Sequence, residues 1–137
     1  MIVKVENVSK AYYKIPVIRE MSLDIERGER IVILGPSGCG KTTFLRMIAG
    51  FIPPDKGRLV IDGQTVADNG KSIIAPESRQ VGMVFQDLAL WPHMTSYKNI
   101  EFGLKAKKIP KAGIRERIDT ILEKVQMVRF KDAYPGE

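Results

Sequence analysis

Residues 35–43 read Gly-Pro-Ser-Gly-Cys-Gly-Lys-Thr-Thr. Three glycines, an ammonium and several hydroxyls in so short a stretch suit a polyanion rather than an apolar ligand. Gly, four residues, then Gly-Lys-Thr is the spacing of a loop that wraps phosphates with backbone N–H groups where a helix begins. Gly35, Gly38 and Gly40 admit conformations that a side chain would obstruct, so successive amides can converge on phosphate oxygens. Pro36, Ser37 and Cys39 complete the same cradle. Lys41 is expected to reach the β- and γ-phosphates of a nucleoside triphosphate, and Thr42 to offer its hydroxyl to Mg2+. Thr43 either bonds a phosphate oxygen or helps to start the helix. Cys39, beside a cation and a helix start, sits where a thiol pKa can fall. No neighbouring base is evident, however, so it reads as a packing residue open to alkylation.

Such a loop works only between a buried strand and a helix, and both are legible. Ile31 to Leu34 is apolar on both faces, as in a central strand of a covered parallel sheet. From Lys41 to Ala49, Phe44, Leu45 and Ile48 recur at helical spacing, and Gly50 supplies a stop. Upstream, Val3 and Val5, then Met21, Leu23 and Ile25, alternate with polar residues and predict two strands with one buried face. Downstream, Leu59-Val60-Ile61 runs into Asp62-Gly63, a dipeptide favoured in hairpins, which predicts a small antiparallel pair. Residues 68–78 are polar and turn-rich. Val81 to Phe85 is a second buried-strand candidate and ends at Gln86. Beyond it Ile114, Ile118, Ile121, Leu122 and Val125 share one stripe and predict a helix from about Lys111 to Val128.

The 137-residue chain is the size of one domain, and its 44% hydrophobic and 28% charged residues fit a folded, soluble globular protein. The longest central apolar run is far below the roughly 20 residues needed to cross a bilayer, and MIVKVENV lacks the pattern of a signal peptide. One cysteine excludes an internal disulfide and fits a reducing compartment. Lys plus Arg number 22 against 16 Asp plus Glu, a net charge of +6. Nine of the basic residues lie between Lys105 and Asp132 with four acidic ones. A single aromatic residue, Phe130, falls within this block, short of the interleaved aromatics that a base-stacking surface requires, so it reads as a solvated helical face and not as a nucleic-acid site.

Taken in order, VSKAYYK, GPSGCGKTT and VGMVFQD resemble the nucleotide-binding subunit of ABC transporters. The likeness runs from Ile2 to the last residue. With WPHMT it is most similar to importers of polyamines, ferric iron, sulfate or sugars. The resemblance implies an α/β fold: a P-loop NTPase core with an antiparallel β-subdomain and the start of a helical subdomain, truncated before the signature motif. Residues 1–86 would be the β-subdomain and P-loop core, and 87–137 the Q-loop and the beginning of the helical subdomain. ATP and Mg2+ are the implied cofactors. Tyr12 falls at the aromatic that stacks on adenine, although Tyr13 is an alternative. Gln86 falls at the glutamine that approaches Mg2+ and the attacking water, although it could only cap a strand. The implied partners are a second ATP-binding subunit, making a homodimer, and transmembrane permease subunits received by Gln86 to Met94. The implied location is the cytoplasmic face of the cell membrane, as a peripheral subunit.

Hydrolysis needs a positioned water and a group to orient it. In the family these come from a Walker B strand ending in Asp-Glu, and nothing after Gln86 reads that way. Leu59-Val60-Ile61-Asp62 imitates it, but Gly63 follows, so Asp62 is assigned to a turn rather than to Mg2+. The last residues, AYPGE, match the segment just ahead of the family signature. The 137 residues alone are therefore expected to hold nucleotide without turning it over, and the strands flanking the phosphate-loop strand are expected to be missing. A noncatalytic remnant, an interaction module or a different P-loop NTPase are the alternatives. No Asn-Lys-x-Asp guanine reader is present, and His93 has no companion at metal-ligand spacing.

Overall fold

The computed structural model describes residues 1–86 and 89–137. They form two compact units, Met1–Met83 and Val84–Glu137.

In the first unit, β1 (Val3–Tyr12), β2 (Ile15–Ile25), β3 (Lys56–Ile61), β4 (Gln64–Asp68) and β5 (Lys71–Ser72) make an antiparallel sheet ordered β2-β1-β3-β4-β5. The two early strands expected from alternation are the paired ends of one long hairpin, with Val3 opposite Ile25 and Val5 opposite Leu23. Its turn is Tyr13 and Lys14, both at positive φ (49° and 68°), the primed geometry that matches strand twist. Neither residue is a glycine or asparagine, so this turn carried no sequence signal. Asp62 (φ 47°) and Gly63 (φ 77°) form the expected second turn, with Ile61 opposite Gln64.

The register of β1 slips between Val5 and Val8 at Asn7, whose N–H donates to Ser22 Oγ (2.9 Å) while that hydroxyl donates to Asn7 Oδ1 (3.0 Å). On the other side β3 passes so close that a Cβ on Gly57 would lie 2.4 Å from the carbonyl oxygens of Glu6 and Asn7. Only glycine fits there.

The helix α1 (Lys41–Ala49) ends where expected, at Gly50 with φ 95°, whose N–H meets the carbonyls of Arg46 (3.0 Å) and Met47 (3.2 Å). Its buried residues are Phe44, Met47 and Ala49, with Ile48 partly buried against the same core, whereas Leu45 is exposed. Phe44 and Met47 join Val5, Val8, Ile18, Leu59 and Val66 in the core of this unit. Burial of each such side chain stabilises by about 1.5–3 kcal/mol.

The two runs expected to be buried parallel strands, Ile31–Leu34 and Val81–Phe85, take part in no strand pairing. Val32 is 78%, Leu34 86% and Val84 89% exposed. A strand of a covered parallel sheet is satisfied only by neighbours on its edges and layers on its faces. Among the described residues no strand pairs with either run, while Ile33 and Val81 are packed against the core.

In the second unit, α2 (Ser96–Ala106) and α3 (Lys111–Lys124) pack through Ile114, Ile118 and Leu122, buried against Tyr97, Ile100, Leu104 and Ile109. The helix α3 stops at Lys124, short of the expected Val128, and a 3-10 turn follows at Val128–Phe130. Ile121 and Val125, expected on the buried stripe, are exposed. Thr95 caps α2, its hydroxyl accepting from Lys98 N–H at 3.3 Å. The next amides of α2 are satisfied by the C-terminal segment: Ser96 N–H donates to Ala133 O and Tyr97 N–H to Lys131 O, each at 2.9 Å. Lys105, Arg115 and Arg117 of the basic block are solvent-exposed. Lys105 pairs with Glu101 (3.0 Å) and Arg115 with Asp119 (3.7 Å) one helical turn away, surface pairs of small energetic weight.

Candidate functional site

The loop of residues 35–40 delivers the chain into α1 through Gly40, the N-cap, in the left-handed region at φ 99°. A Cβ here would stand 3.0 Å from both Val17 Cγ1 and the Val17 carbonyl oxygen. The β1–β2 hairpin thus presses on the start of the helix, and the glycine is needed for space as well as for conformation. No side chain caps the N-terminus, and the first turn holds no acid. Cys39 N–H reaches Pro36 O at 3.4 Å, and the first helical bond is Phe44 N–H to Gly40 O at 2.9 Å. The opening turn of α1 therefore offers amides and the positive end of a helix dipole to an incoming anion.

Lys41 folds back over this loop. Its Nζ donates to Gly35 O (2.7 Å) and Pro36 O (2.6 Å) and lies 3.5 Å from Cys39 Sγ. These acceptors are neutral and the region is exposed, so a phosphate oxygen, which makes shorter and roughly twice as strong bonds to an ammonium, competes well for it. Cys39 is exposed and in contact with the loop's own lysine. Thr42 is exposed and Thr43 half-buried in the first turn. The chemistry of this donor set fits a phosphate chain. For Mg2+ it supplies one hydroxyl, and among the described residues no group of three His, Cys, Asp or Glu side chains gathers anywhere to hold a metal. A magnesium bound here would depend on oxygens of the nucleotide, which is how this small, strongly hydrated ion is commonly held.

Tyr12 ends β1 opposite Ile15, 39% exposed, with Lys10 Nζ 5.8 Å from its ring centroid. Tyr13 is 98% exposed on the turn itself. The strand register holds Tyr12, whereas nothing packs against Tyr13. Lys10 is fixed in turn by Asp55: Nζ to Oδ1 is 2.6 Å, and Ala11 N–H donates to Oδ2 at 2.8 Å. The Lys10 ammonium first, and the Ala11 amide second, hold the Asp55 carboxyl below the usual carboxylate range.

Gln86 lies in a turn of the second unit and is exposed. Asp87 and Leu88, inside the expected docking stretch, lie outside the described residues. Further along, Trp91 is stacked edge-on against His93 (6.0 Å) and Phe102 (5.8 Å). Asp62 sits in the β3–β4 turn and pairs with Arg27 at 3.0 Å, both exposed. The structure thus gathers the phosphate loop, Lys41, Thr42 and the Tyr12 hairpin in one unit, and carries Gln86 and the Trp91 loop in the other.

Two residues escaped sequence reasoning. Asn99, in α2, bonds the Trp91 N–H through Oδ1 (2.9 Å) and directs Nδ2 at the carbonyls of Trp91, Met94 and Thr95 (3.0–3.2 Å), so it organises the whole 91–95 loop. Arg79 is buried and holds α1 from behind, and burial lowers its pKa from the ordinary guanidinium value. A polar residue inside a helix or a turn-rich stretch is read as solvent-facing by default. No periodicity marks either one.

An uncapped glycine-rich loop feeding a helix whose first side chain is a lysine defines a nucleoside-phosphate-binding class of protein. The comparisons narrow it. The family model for ABC transporters matches residues 18–137. The chain is 44% identical over 136 residues to the spermidine/putrescine import ATP-binding protein PotA of Chromobacterium violaceum, covering 99% of this chain and 36% of that one. It is 43% identical to the trehalose/maltose import ATP-binding protein MalK of Thermococcus litoralis, covering 98% of this chain and 37% of that one. Among solved structures, the dimeric ATP-binding cassette MJ0796 bound to ADP and Pi superposes with a TM-score of 0.82 at 30% identity, over 98% of this chain and 62% of that one. A cbiO1 subunit from Clostridium perfringens gives 0.79 at 28% identity, over 97% and 53%. The chain belongs to the ABC transporter family. Its fold is that of ATP-binding cassettes, the expected resemblance to import subunits holds, and it spans a little over a third of the length of the curated relatives named here.

Proposed function

We propose that this chain is the nucleotide-holding part of an ATP-binding subunit that couples MgATP binding and hydrolysis to uptake of a solute through an ABC importer. The observation that carries the proposal is the uncapped, acid-free start of α1 with the Lys41 ammonium lying on neutral loop carbonyls, ready to be exchanged for phosphate oxygens. In this reading the backbone N–H groups between Gly35 and Thr43, Pro36 excepted, wrap the phosphates, Lys41 neutralises the β- and γ-groups, and the Thr42 hydroxyl faces Mg2+. Tyr12 stacks on adenine, and Gln86 approaches the metal and the water. Mg2+, when bound, would neutralise charge developing on the transferred phosphoryl group. Residues 1–86 form the β-subdomain and phosphate-loop part, and 87–137 the Q-loop and the start of the helical part.

The same proposal includes a second subunit, a permease seated on Gln86 to Met94, and a position on the inner face of a membrane. Its support is that the relatives are named import ATP-binding proteins and that the MJ0796 cassette is dimeric. No helix among the described residues is long and apolar enough to cross a membrane, so passage of a solute would fall to the partner. The 137 residues contain no apolar strand ending in Asp-Glu, and they are expected to bind ATP without sustained release of phosphate.

Calorimetric titration of ATP into the chain tests the proposal. Lys41→Ala is expected to weaken binding by at least about tenfold, because it removes a charge-assisted bond to phosphate. Unchanged affinity in that variant would defeat the site assignment, and steady phosphate release from pure material would defeat the statement about turnover.

A further inference from the structure

Arg79 is 4% exposed, the single charged member of the buried set among the described residues. A guanidinium carries five N–H donors, and here it makes five bonds. Nε donates to Ile74 O at 2.9 Å. Nη1 donates to Met47 O at 2.9 Å and Ile48 O at 3.1 Å. Nη2 donates to Val66 O at 3.0 Å and Ser72 Oγ at 3.1 Å. None of these acceptors is a carboxylate. The compensation for burying the charge comes from carbonyls, two of them in the last turn of α1, at the negative end of its dipole. Space for the group is made by Gly50, where a Cβ would lie 2.6 Å from Nε.

Apolar packing through Phe44 and Met47 already holds α1 on the sheet, but the hydrophobic effect is non-directional and leaves a helix free to tilt or slide. Five hydrogen bonds with fixed geometry do not. They join the C-terminal end of α1 to β4 through Val66 and to β5 through Ser72. The opposite end of the same nine-residue helix carries Lys41 and the uncapped amides. We infer that Arg79 is a positioning residue for nucleotide binding: it fixes the axis of α1 so that the phosphate loop and Lys41 meet the phosphates in register. The inference rests on the nucleotide site proposed above. At 1.5 Å per residue the lever is roughly 13 Å long, so a tilt of about 5° displaces the amide-bearing end by about 1 Å. Misplacement of that size costs up to on the order of a hundredfold where groups must be aligned.

The test uses the 15N-labelled chain, its Arg79→Lys and Ser72→Ala variants, and ATP as the probe. In Arg79→Lys, at a temperature well below its unfolding midpoint, the amide resonances of Gly38, Gly40 and Lys41 are expected to shift, and the ATP Kd to rise about tenfold. Ser72→Ala, which removes one of the five acceptors, is expected to move the same resonances in the same direction by less. In the unmodified chain, ATP is expected to shift the Arg79 Nε–H resonance from the far end of the helix. A folded Arg79→Lys whose loop amides and Kd stay within twofold of the parent would overturn the inference and leave Arg79 a residue of stability alone. If Arg79→Lys does not fold, Ser72→Ala decides by the same readouts. If the parent itself does not bind ATP, the nucleotide reading fails, while the loop resonances still decide whether Arg79 positions the loop.

Discussion

Replacing Gly40 by alanine separates backbone strain from steric exclusion at the entrance to α1. Gly40 and Gly38 are both in the left-handed region, at φ 99° and 80°. An alanine held there costs about 1–2 kcal/mol in the folded state, and the stiffer unfolded chain worsens the alternative by about 0.4–1 kcal/mol, so the two partly offset. A Cβ added at Gly38 would meet nothing within 4 Å, and Gly38→Ala should therefore lose roughly 1 kcal/mol. At Gly40 the same methyl meets Val17 Cγ1 and Val17 O at 3.0 Å and Ile18 Cγ1 at 3.3 Å. The carbonyl cannot retreat without disturbing the β1–β2 pairing, where Lys10 faces Ile18 and Ala11 faces Pro16. Overpacking of this kind costs about 1–3 kcal/mol more, for a total near 2–4 kcal/mol. Urea unfolding of both variants, followed by far-UV circular dichroism, measures the difference. Val17→Ala in the Gly40→Ala background should recover only part of the loss, because it removes Cγ1 and leaves the carbonyl in place. If Gly40→Ala unfolds no more readily than Gly38→Ala, the contact between the hairpin and the loop is not what requires glycine.

Three further outcomes are expected. The depressed carboxyl of Asp55 contributes stability that is present above its unfolded pKa of about 3.9 and is lost as pH falls through the lower folded value. Asp55→Asn should accordingly flatten the acid limb of a stability-versus-pH curve below about pH 4. The effect should be small, since the side chain is nearly half exposed. Asn99→Ala should destabilise the second unit by about 1–2 kcal/mol and release the 91–95 loop, shifting the fluorescence of Trp91, the sole tryptophan, to longer wavelength. Gly57→Ala, whose methyl would enter the carbonyls of β1 at 2.4 Å, should prevent pairing of β1 with β3 and abolish cooperative unfolding of the first unit.

Local chemistry was legible where a few neighbouring residues decide the outcome. The start of α1 at Lys41, its stop at Gly50 and the Asp62-Gly63 turn all follow from glycine conformations and hydrophobic period. So does the buried triplet Ile114, Ile118 and Leu122, recurring every four residues. Wherever a remote partner decides, the reading failed or was silent. Ile31 to Leu34 and Val81 to Phe85 have the composition of covered strands, yet composition cannot supply the neighbouring strands that pairing requires. The Tyr13-Lys14 turn is imposed by the strands it joins, not by its own residue types.

What the sequence by itself determined is the glycine-rich, lysine-bearing stretch of residues 35–43 and the membership of the family, because both reside in contiguous residue types and spacing. Tertiary structure alone decided how that loop is held. It set Val17 against Gly40, Asp55 beneath Lys10, Asn99 inside the Trp91 loop and Arg79 behind α1, contacts that join positions far apart in the chain. The physical reason is that a hydrogen bond or a steric limit depends on distance in space, and a linear order of residues carries that distance only where the chain is locally regular.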